Sequence, residues 1–181
     1  MAFFGLFRSK RHERAGYALY TVAVQAARDP AFYAGLGVPD TLDGRFDMIG
    51  LHVSLVMDRL RRAPSPGPEL AQAVFDAMFS DMDFNLREMG VSDMAVGKRV
   101  KVMWEALNGR AQAYAAALEA GDEDAMTQAV ARNVWRGAEP DANVRTLARQ
   151  AMAQAAHLAA QPLTELAAGH VTFLPSLREA A

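Results

Sequence analysis

The residues with catalytic types and spacing are few, and the way each arrangement fails narrows the function. Gly90 through Gly97-Lys98 has the outline of a phosphate-binding loop. Six residues separate its glycines where four are needed, however, and Arg99 stands where Ser or Thr would hold magnesium. Asp81-Met-Asp83-Phe-Asn85 opens like a calcium loop, but Leu86 replaces the required glycine and Ser92 the bidentate glutamate. The histidines His12, His52, His157 and His170 are scattered without a zinc-ligand spacing. Neither a Gly-x-Ser-x-Gly elbow nor a dinucleotide fingerprint is present, and the absence of cysteine removes thiol catalysis, disulfides and cysteine-held clusters. The sequence therefore predicts no catalytic residue, no metal and no cofactor.

What remains is polar residues set beside apolar stripes. At 100° per residue, Ala77, Asp81, Phe84 and Glu88 form a ledge beside the stripe Val74, Phe75, Met78, Phe79, Met82 and Leu86, while Asp83 and Arg87 sit one turn apart on the outer side. Arg99 and Arg110 flank a near-heptad seam of Val96, Val100, Met103, Leu107, Tyr114 and Leu118. Opposed carboxylate and arginine ledges favour ion pairs that set helix register, or a polar rim that reads a partner. Lys98 and Lys101 fall on the outer face of the same helix. His52 lies between the stripes Phe46/Ile49/Val53/Val56/Leu60 and Met48/Leu51/Leu55, which makes it either a hydrogen-bonded core residue or part of a groove. The ten methionines fill cores or line surfaces that bind apolar helices; Met57, Met89 and Met94, off the main stripes, are the groove candidates.

The elements that must position these residues are helices. The spacing predicts helices from about His12 to Arg28, through Phe32 and Tyr33, from about Leu42 to Arg62, Glu69 to Glu88, Asp93 to Ala120, Asp122 to Arg136 and Asp141 to Ala160. Gly90, Gly121 and Gly137 fall at helix ends. Prolines break the pattern at Ala63-Pro-Ser-Pro-Gly-Pro68, a linker between the third and fourth helices, and only Val171-Thr-Phe-Leu174 has a strand-like pattern. The expected fold is all-α, one compact domain of six to seven helices over residues 15–168. An apolar and basic segment, 1–14, precedes it, and a C-terminal tail, 169–181, follows.

Composition agrees with that reading. With 181 residues, 51% of them hydrophobic and 22% charged, the chain suits one globular domain and is not a disordered or collagen-like polypeptide. A net charge of -2 lacks the basic footprint of a DNA-binding domain, so no specific DNA binding is expected. No run reaches the roughly 18 to 20 apolar residues of a membrane span. At the start, Phe3, Phe4 and Phe7 stand beside Arg8, Lys10 and Arg11 in the reverse order of a secretory signal. That segment suits a lipid headgroup layer, a ribosomal surface or a cap on the core.

Two long runs carry a resemblance. Ala27-Arg-Asp-Pro-Ala-Phe-Tyr-Ala-Gly-Leu-Gly-Val-Pro-Asp-Thr-Leu-Asp-Gly-Arg-Phe-Asp-Met48, with Leu51-His52 and Arg59-Leu60, resembles the signature of the ubiquinol-cytochrome c chaperone family. So does Phe75-Asp-Ala-Met-Phe-Ser-Asp-Met-Asp-Phe-Asn-Leu-Arg-Glu-Met-Gly-Val-Ser-Asp-Met-Ala-Val-Gly-Lys98, continuing to Gly109-Arg110 and Ala113-Tyr114. The likeness extends over roughly residues 17–158. Asn108 departs from it, standing where many relatives have an aromatic before Gly-Arg. The resemblance implies a helical protein that binds newly synthesised cytochrome b and promotes its assembly into complex III. It implies no catalytic residue. The client-binding residues it points to are Tyr33, Pro39, Asp40, Arg45, His52, Asp81, Asp83, Phe84, Arg87, Glu88, Lys98 and Arg110, each serving recognition or folding. The N-terminal Phe3, Phe4, Phe7, Arg8, Lys10 and Arg11 then face the ribosome exit region or the inner membrane surface. Without a long transit segment, the expected location is the bacterial cytoplasm, peripheral at the membrane's inner face.

Two rival functions use the same residues. One is an enzyme acting on a quinone or haem-related substrate through Asp81, Asp83 and Glu88 with Arg99 or Arg110; the other is a homo-oligomeric scaffold without a client. The sequence leaves the oligomeric state open.

Overall fold

The computed structural model describes the backbone from residue 2 to 176 and side chains from residue 10 to 176. Those residues form α1 (Ala2–Ala27), a π-helical turn (Ala31–Gly35), α2 (Leu42–Arg61), α3 (Gly67–Glu88), α4 (Asp93–Ala120), α5 (Glu123–Val134), α6 (Ala142–Ala160) and α7 (Leu163–Ala167), with no strand among them.

α2 is the axis of the bundle, packed against α1, α3, α4, α5 and α6. From Asp47 to Met57 every residue except Ile49 is buried, which explains why the sequence shows two apolar stripes on this helix. Small residues permit the closest crossings. A Cβ on Gly16 of α1 would lie 2.6 Å from the carbonyl carbon of Ala73 on α3, and one on Gly50 of α2 would lie 3.1 Å from the Leu107 side chain on α4. The helices start on side-chain caps where the sequence has Thr or Asp. Thr41 Oγ1 accepts the Gly44 N–H, Asp122 Oδ1 that of Ala125 and Asp141 Oδ1 that of Val144. Gly121, with φ of 63°, ends α4 in the left-handed conformation that glycine adopts without a Cβ penalty.

Four local expectations change. α1 begins at Ala2, ten residues before the predicted His12, so the backbone of the apolar and basic segment continues the first helix. The proline-rich stretch joins α2 to α3 in a turn, and α3 starts at Gly67, two residues before the predicted Glu69, where a Cβ would lie 2.4 Å from the Leu60 carbonyl oxygen. α7 has no counterpart among the predicted helices. Val171–Leu174 is extended without joining a sheet, because it bonds to glutamine side chains of α6 and the loop after it.

Candidate functional site

The residues singled out from the sequence divide among three places. The first is a cleft of about 410 Å³ at the corner between the π-turn and the start of α2, lined by Arg28, Pro30, Tyr33, Ala34, Asp40 and Arg45. The Arg45 Nε donates to Asp40 Oδ1 at 2.6 Å, and its guanidinium carbon lies 5.8 Å from the centre of the Tyr33 ring. Tyr33 donates its hydroxyl hydrogen to the Ala27 carbonyl at 2.9 Å, which fixes the ring over the end of α1, and burial raises its pKa. The Arg45 hydrogen bond holds the Asp40 carboxyl below the usual carboxylate range. Exposed Pro39 shapes this corner from behind, since a Cβ on Gly44 would lie 2.0 Å from its carbonyl oxygen.

The second place is interior. His52 is 3% exposed, with Nδ1 2.8 Å from the Met48 carbonyl and its ring 5.5 Å from those of Phe32 and Phe173. Burial pushes its pKa down to about 4. Its ring is hydrogen-bonded in the core, and it also borders a cleft beside Phe32 and Phe173. Asp81 is also engaged inside the fold. Its Oδ2 accepts the Tyr20 hydroxyl at 2.6 Å, tying α3 to α1, and burial together with Asp81 raises the Tyr20 pKa.

Arg110 does not meet the carboxylate ledge of α3. It reaches α2, where Nη1 bonds to Asp47 Oδ1, and it lies 5.8 Å from the Phe46 ring centre. The Asp47 side chain is 1% exposed, and its second oxygen lies 3.1 Å from Arg136 Nη2 without hydrogen-bond geometry. Arg136 sits just past α5 at φ 56° and also approaches Asp43 at 3.3 Å. Burial raises the Asp47 carboxyl pKa, against the pull of Arg110 and Arg136. Sequence reasoning missed this cluster, in which Asp47 and Arg136 are 89 positions apart. The sole local sign was an acidic residue inside the apolar stripes of α2.

The third place is the end of α3 and the first half of α4. Arg87 bonds to Asp83 within α3 at 2.6 Å and also to Asp93 at the start of α4, bracing the turn at Gly90. Beside that brace several large apolar side chains face solvent. Phe84 is 60% exposed, Met89 58%, Met94 93% and Val102 58%. Between Asp93 and Ala106 only Val96 is buried. Met94, Lys98 and Val102, spaced four apart, share one outer face. Next to it Ala95, Lys98, Arg99, Val102 and Met103 line an open cleft of about 380 Å³ with mostly apolar walls. Met89 and Met94 are therefore at the surface as groove residues should be, whereas Met57 is buried at 4% exposure. Glu88 is exposed on the last turn of α3.

Of the N-terminal residues, Phe3, Phe4, Phe7 and Arg8 have side chains outside the described residues, while Lys10 and Arg11 are exposed on α1. Among the described residues, no helix is long and apolar enough to cross a membrane and no group of His, Asp or Glu is arranged to hold a metal ion. The carboxylates of the enzymatic alternative do not converge. Asp81 is bonded to Tyr20, Asp83 to Arg87, and neither they nor Glu88 lines the two clefts above.

The surroundings of these sites have a counterpart in known proteins. No curated protein sequence matches the chain. A solved structure described as the Cbp3 homolog from Brucella abortus superposes with a TM-score of 0.84 at 35% sequence identity, over 96% of this chain and 97% of that one. The family model described as ubiquinol-cytochrome C chaperone matches residues 34–173, a span that begins just after Tyr33 and takes in Asp40, Arg45, the buried Asp47 cluster and the exposed face of α3 and α4. With the family model matching most of its length and the fold shared at 35% identity over nearly the whole of both chains, the chain belongs to the ubiquinol-cytochrome C chaperone family.

Proposed function

We propose that this protein is an assembly chaperone of ubiquinol-cytochrome c reductase, and that it holds newly synthesised cytochrome b against the exposed face formed by the end of α3 and the first half of α4. The observation that carries this reading is the exposure of Phe84, Met89, Met94 and Val102 on consecutive elements, beside the Lys98 and Arg99 cleft. Large apolar side chains grouped in water are costly unless a partner covers them. Methionines adapt their shape to varied apolar helices, which suits a client whose hydrophobic segments have not yet found their places. The Asp83–Arg87–Asp93 brace keeps the two helix ends in register beneath that face. The polar Tyr33–Asp40–Arg45 corner supplies a second, direction-setting contact. In this reading the N-terminal part of α1, with Lys10 and Arg11, works at the inner membrane face or the ribosome exit, where such a client appears.

The test is photocrosslinking during cytochrome b synthesis, with the crosslinker at Phe84 or Lys98, in the unaltered chain and in a Met94→Asp/Val102→Asp variant. Crosslinks to cytochrome b should form in the first and vanish in the second, with complex III yield falling and the circular dichroism melt unchanged. Undiminished capture by the variant would refute this face as the client site. Tyr33→Ala and Arg45→Glu examine the corner in the same way.

A further inference from the structure

The segment that follows α7 is held as a bound peptide is held. Val171–Ser176 runs extended and antiparallel to α6. The Gln154 side-chain amide donates to the Leu174 carbonyl at 2.7 Å and accepts the Leu174 N–H at 2.9 Å. Gln161 repeats this two-point pairing with Thr172, at 2.8 Å and 2.9 Å. Residues two apart in an extended chain point their backbone groups to the same side, so the two glutamines take the role that a neighbouring strand has in a sheet. His157 Nε2 adds a contact of 3.0 Å to the Thr172 hydroxyl. At the middle, Phe173 turns inward until its ring is 5.5 Å from that of His52, and Ser176 donates to Asp29 Oδ2 at 2.8 Å.

Three features distinguish this from an ordinary packed chain end. The backbone of Thr172 and Leu174 is bonded by side chains of α6 and its following loop, a mode that recognises any extended main chain. Thr172, Leu174 and Pro175 are exposed, while Phe173 and Ser176 are half-buried beyond the anchoring Val171. A cleft of about 520 Å³ also remains beside the segment, bordered by Arg28, Phe32, His52, Gln154, Phe173 and Ser176.

We propose that the glutamine face of α6, with the Phe32 and His52 corner, is a receptor groove for an extended polypeptide segment, and that Val171–Ser176 is its exchangeable occupant in cis. The trans ligand is an extended stretch of a partner chain that carries an aromatic side chain where Phe173 now sits. Main-chain pairing supplies tolerance of sequence and the aromatic pocket supplies register. While the chain's own segment is docked, the groove is closed to ligand, so the apparent affinity is reduced by the fraction of molecules in which it is open. This groove is separate from the α3 and α4 face and stands or falls independently of it.

The probe is a fluorescent, end-capped peptide with the sequence of Val171–Ser176, titrated against the full-length protein. Phe173→Ala in the protein removes the anchor of the cis segment and leaves the groove intact, so it should tighten peptide binding about tenfold. Adding Gln154→Ala and Gln161→Ala should abolish that binding, as should replacing phenylalanine by alanine in the peptide. Equal affinity in the unaltered and Phe173→Ala proteins, or binding that survives the glutamine substitutions, overturns the proposal. A concentration-dependent dimer of Phe173→Ala that excludes the peptide also overturns it and assigns the groove to a second copy. Hydrogen exchange of the unaltered protein decides the matter should Phe173→Ala fail to fold. The Thr172 and Leu174 amides should exchange by local opening, well before the core of α6, and exchange only through global unfolding would refute exchangeability.

Discussion

Replacing Arg110 by methionine should cost about 3 kcal/mol of stability, and the cost should shrink on acidification. Arg110 is 15% exposed and the Asp47 carboxylate it holds is 1% exposed, so the substitution leaves a charge in the interior. Breaking a buried ion pair from one side typically costs about 3 to 5 kcal/mol. Here the lower end applies, because Arg136 Nη2 still lies 3.1 Å from the other carboxylate oxygen, although its own side chain is 53% exposed and its attraction is weakened by water. The pH dependence has a definite sign. The Asp47 pKa is already raised in the folded protein above the ordinary carboxylate value, mainly by burial, and losing Arg110 raises it further. A carboxyl whose folded pKa lies above the unfolded one favours folding at low pH and loses that contribution as pH rises through the folded pKa. Measured against the unaltered protein at each pH, the defect should be largest near pH 7.5 and smaller near pH 5. Urea unfolding followed by circular dichroism reads both quantities. Asp47→Asn in the Arg110→Met background should restore part of the loss, because it removes the stranded charge, giving a coupling of about 2 kcal/mol. A defect below about 1 kcal/mol that does not vary with pH would refute the buried-charge argument.

Other perturbations test separate parts of the fold. The His52 pKa falls from 6.5 to about 4 on folding, so the unfolded chain takes up the proton first; stability present above pH 6.5 should drop by roughly 2 kcal/mol between pH 7.5 and 5, and His52→Gln should remove that fraction of the slope. Gly16→Ala should lower stability by about 1 to 3 kcal/mol, visible as a lower Tm, because its methyl group meets the Ala73 backbone at 2.6 Å and a backbone gives way less easily than a side chain. Tyr20→Phe should cost about 1 kcal/mol by leaving half-buried Asp81 without its 2.6 Å partner, and an unchanged melt would mean that water replaces the hydroxyl there. Asp141→Ala should cost about 1 kcal/mol through loss of the cap on the Val144 N–H and should fray the start of α6 in hydrogen exchange.

Helix content and the order of elements were legible in the sequence because they depend on local chemistry. Thr41, Asp122 and Asp141 start helices by accepting N–H groups within three residues, and Gly121 ends one through its freedom at positive φ. α7 escaped prediction because five residues carry too little periodicity to register. The N-terminal turns of α1 were read as a separate segment because bulky apolar residues followed by a run of cations suggest a surface contact more strongly than a continuing helix.

For the candidate site the division is similar. Asp83 and Arg87, four residues apart on one helix, were recognisable as neighbours from spacing alone. That Asp81 faces Tyr20, that Arg110 turns to Asp47 and away from the α3 ledge, and that Arg136 joins them across 89 positions depends on how α1, α2, α4 and α5 cross. The signature runs determined the family, since long stretches of specific residues carry far more information than composition or periodicity. Which signature residues point outward is a property of packing. Met57 and Met94 are the same residue type near helix ends, yet one is 4% exposed and the other 93%, because Met57 lies on a helix packed against five others and Met94 on the outer face of the first turn of α4. The sequence by itself thus determined the helices and the kinship. The tertiary structure decided which polar groups are spent inside the fold, which apolar ones remain in water, and that a strand-like stretch near the C-terminus finds its partners among glutamines, because these outcomes depend on contacts between residues far apart in the chain.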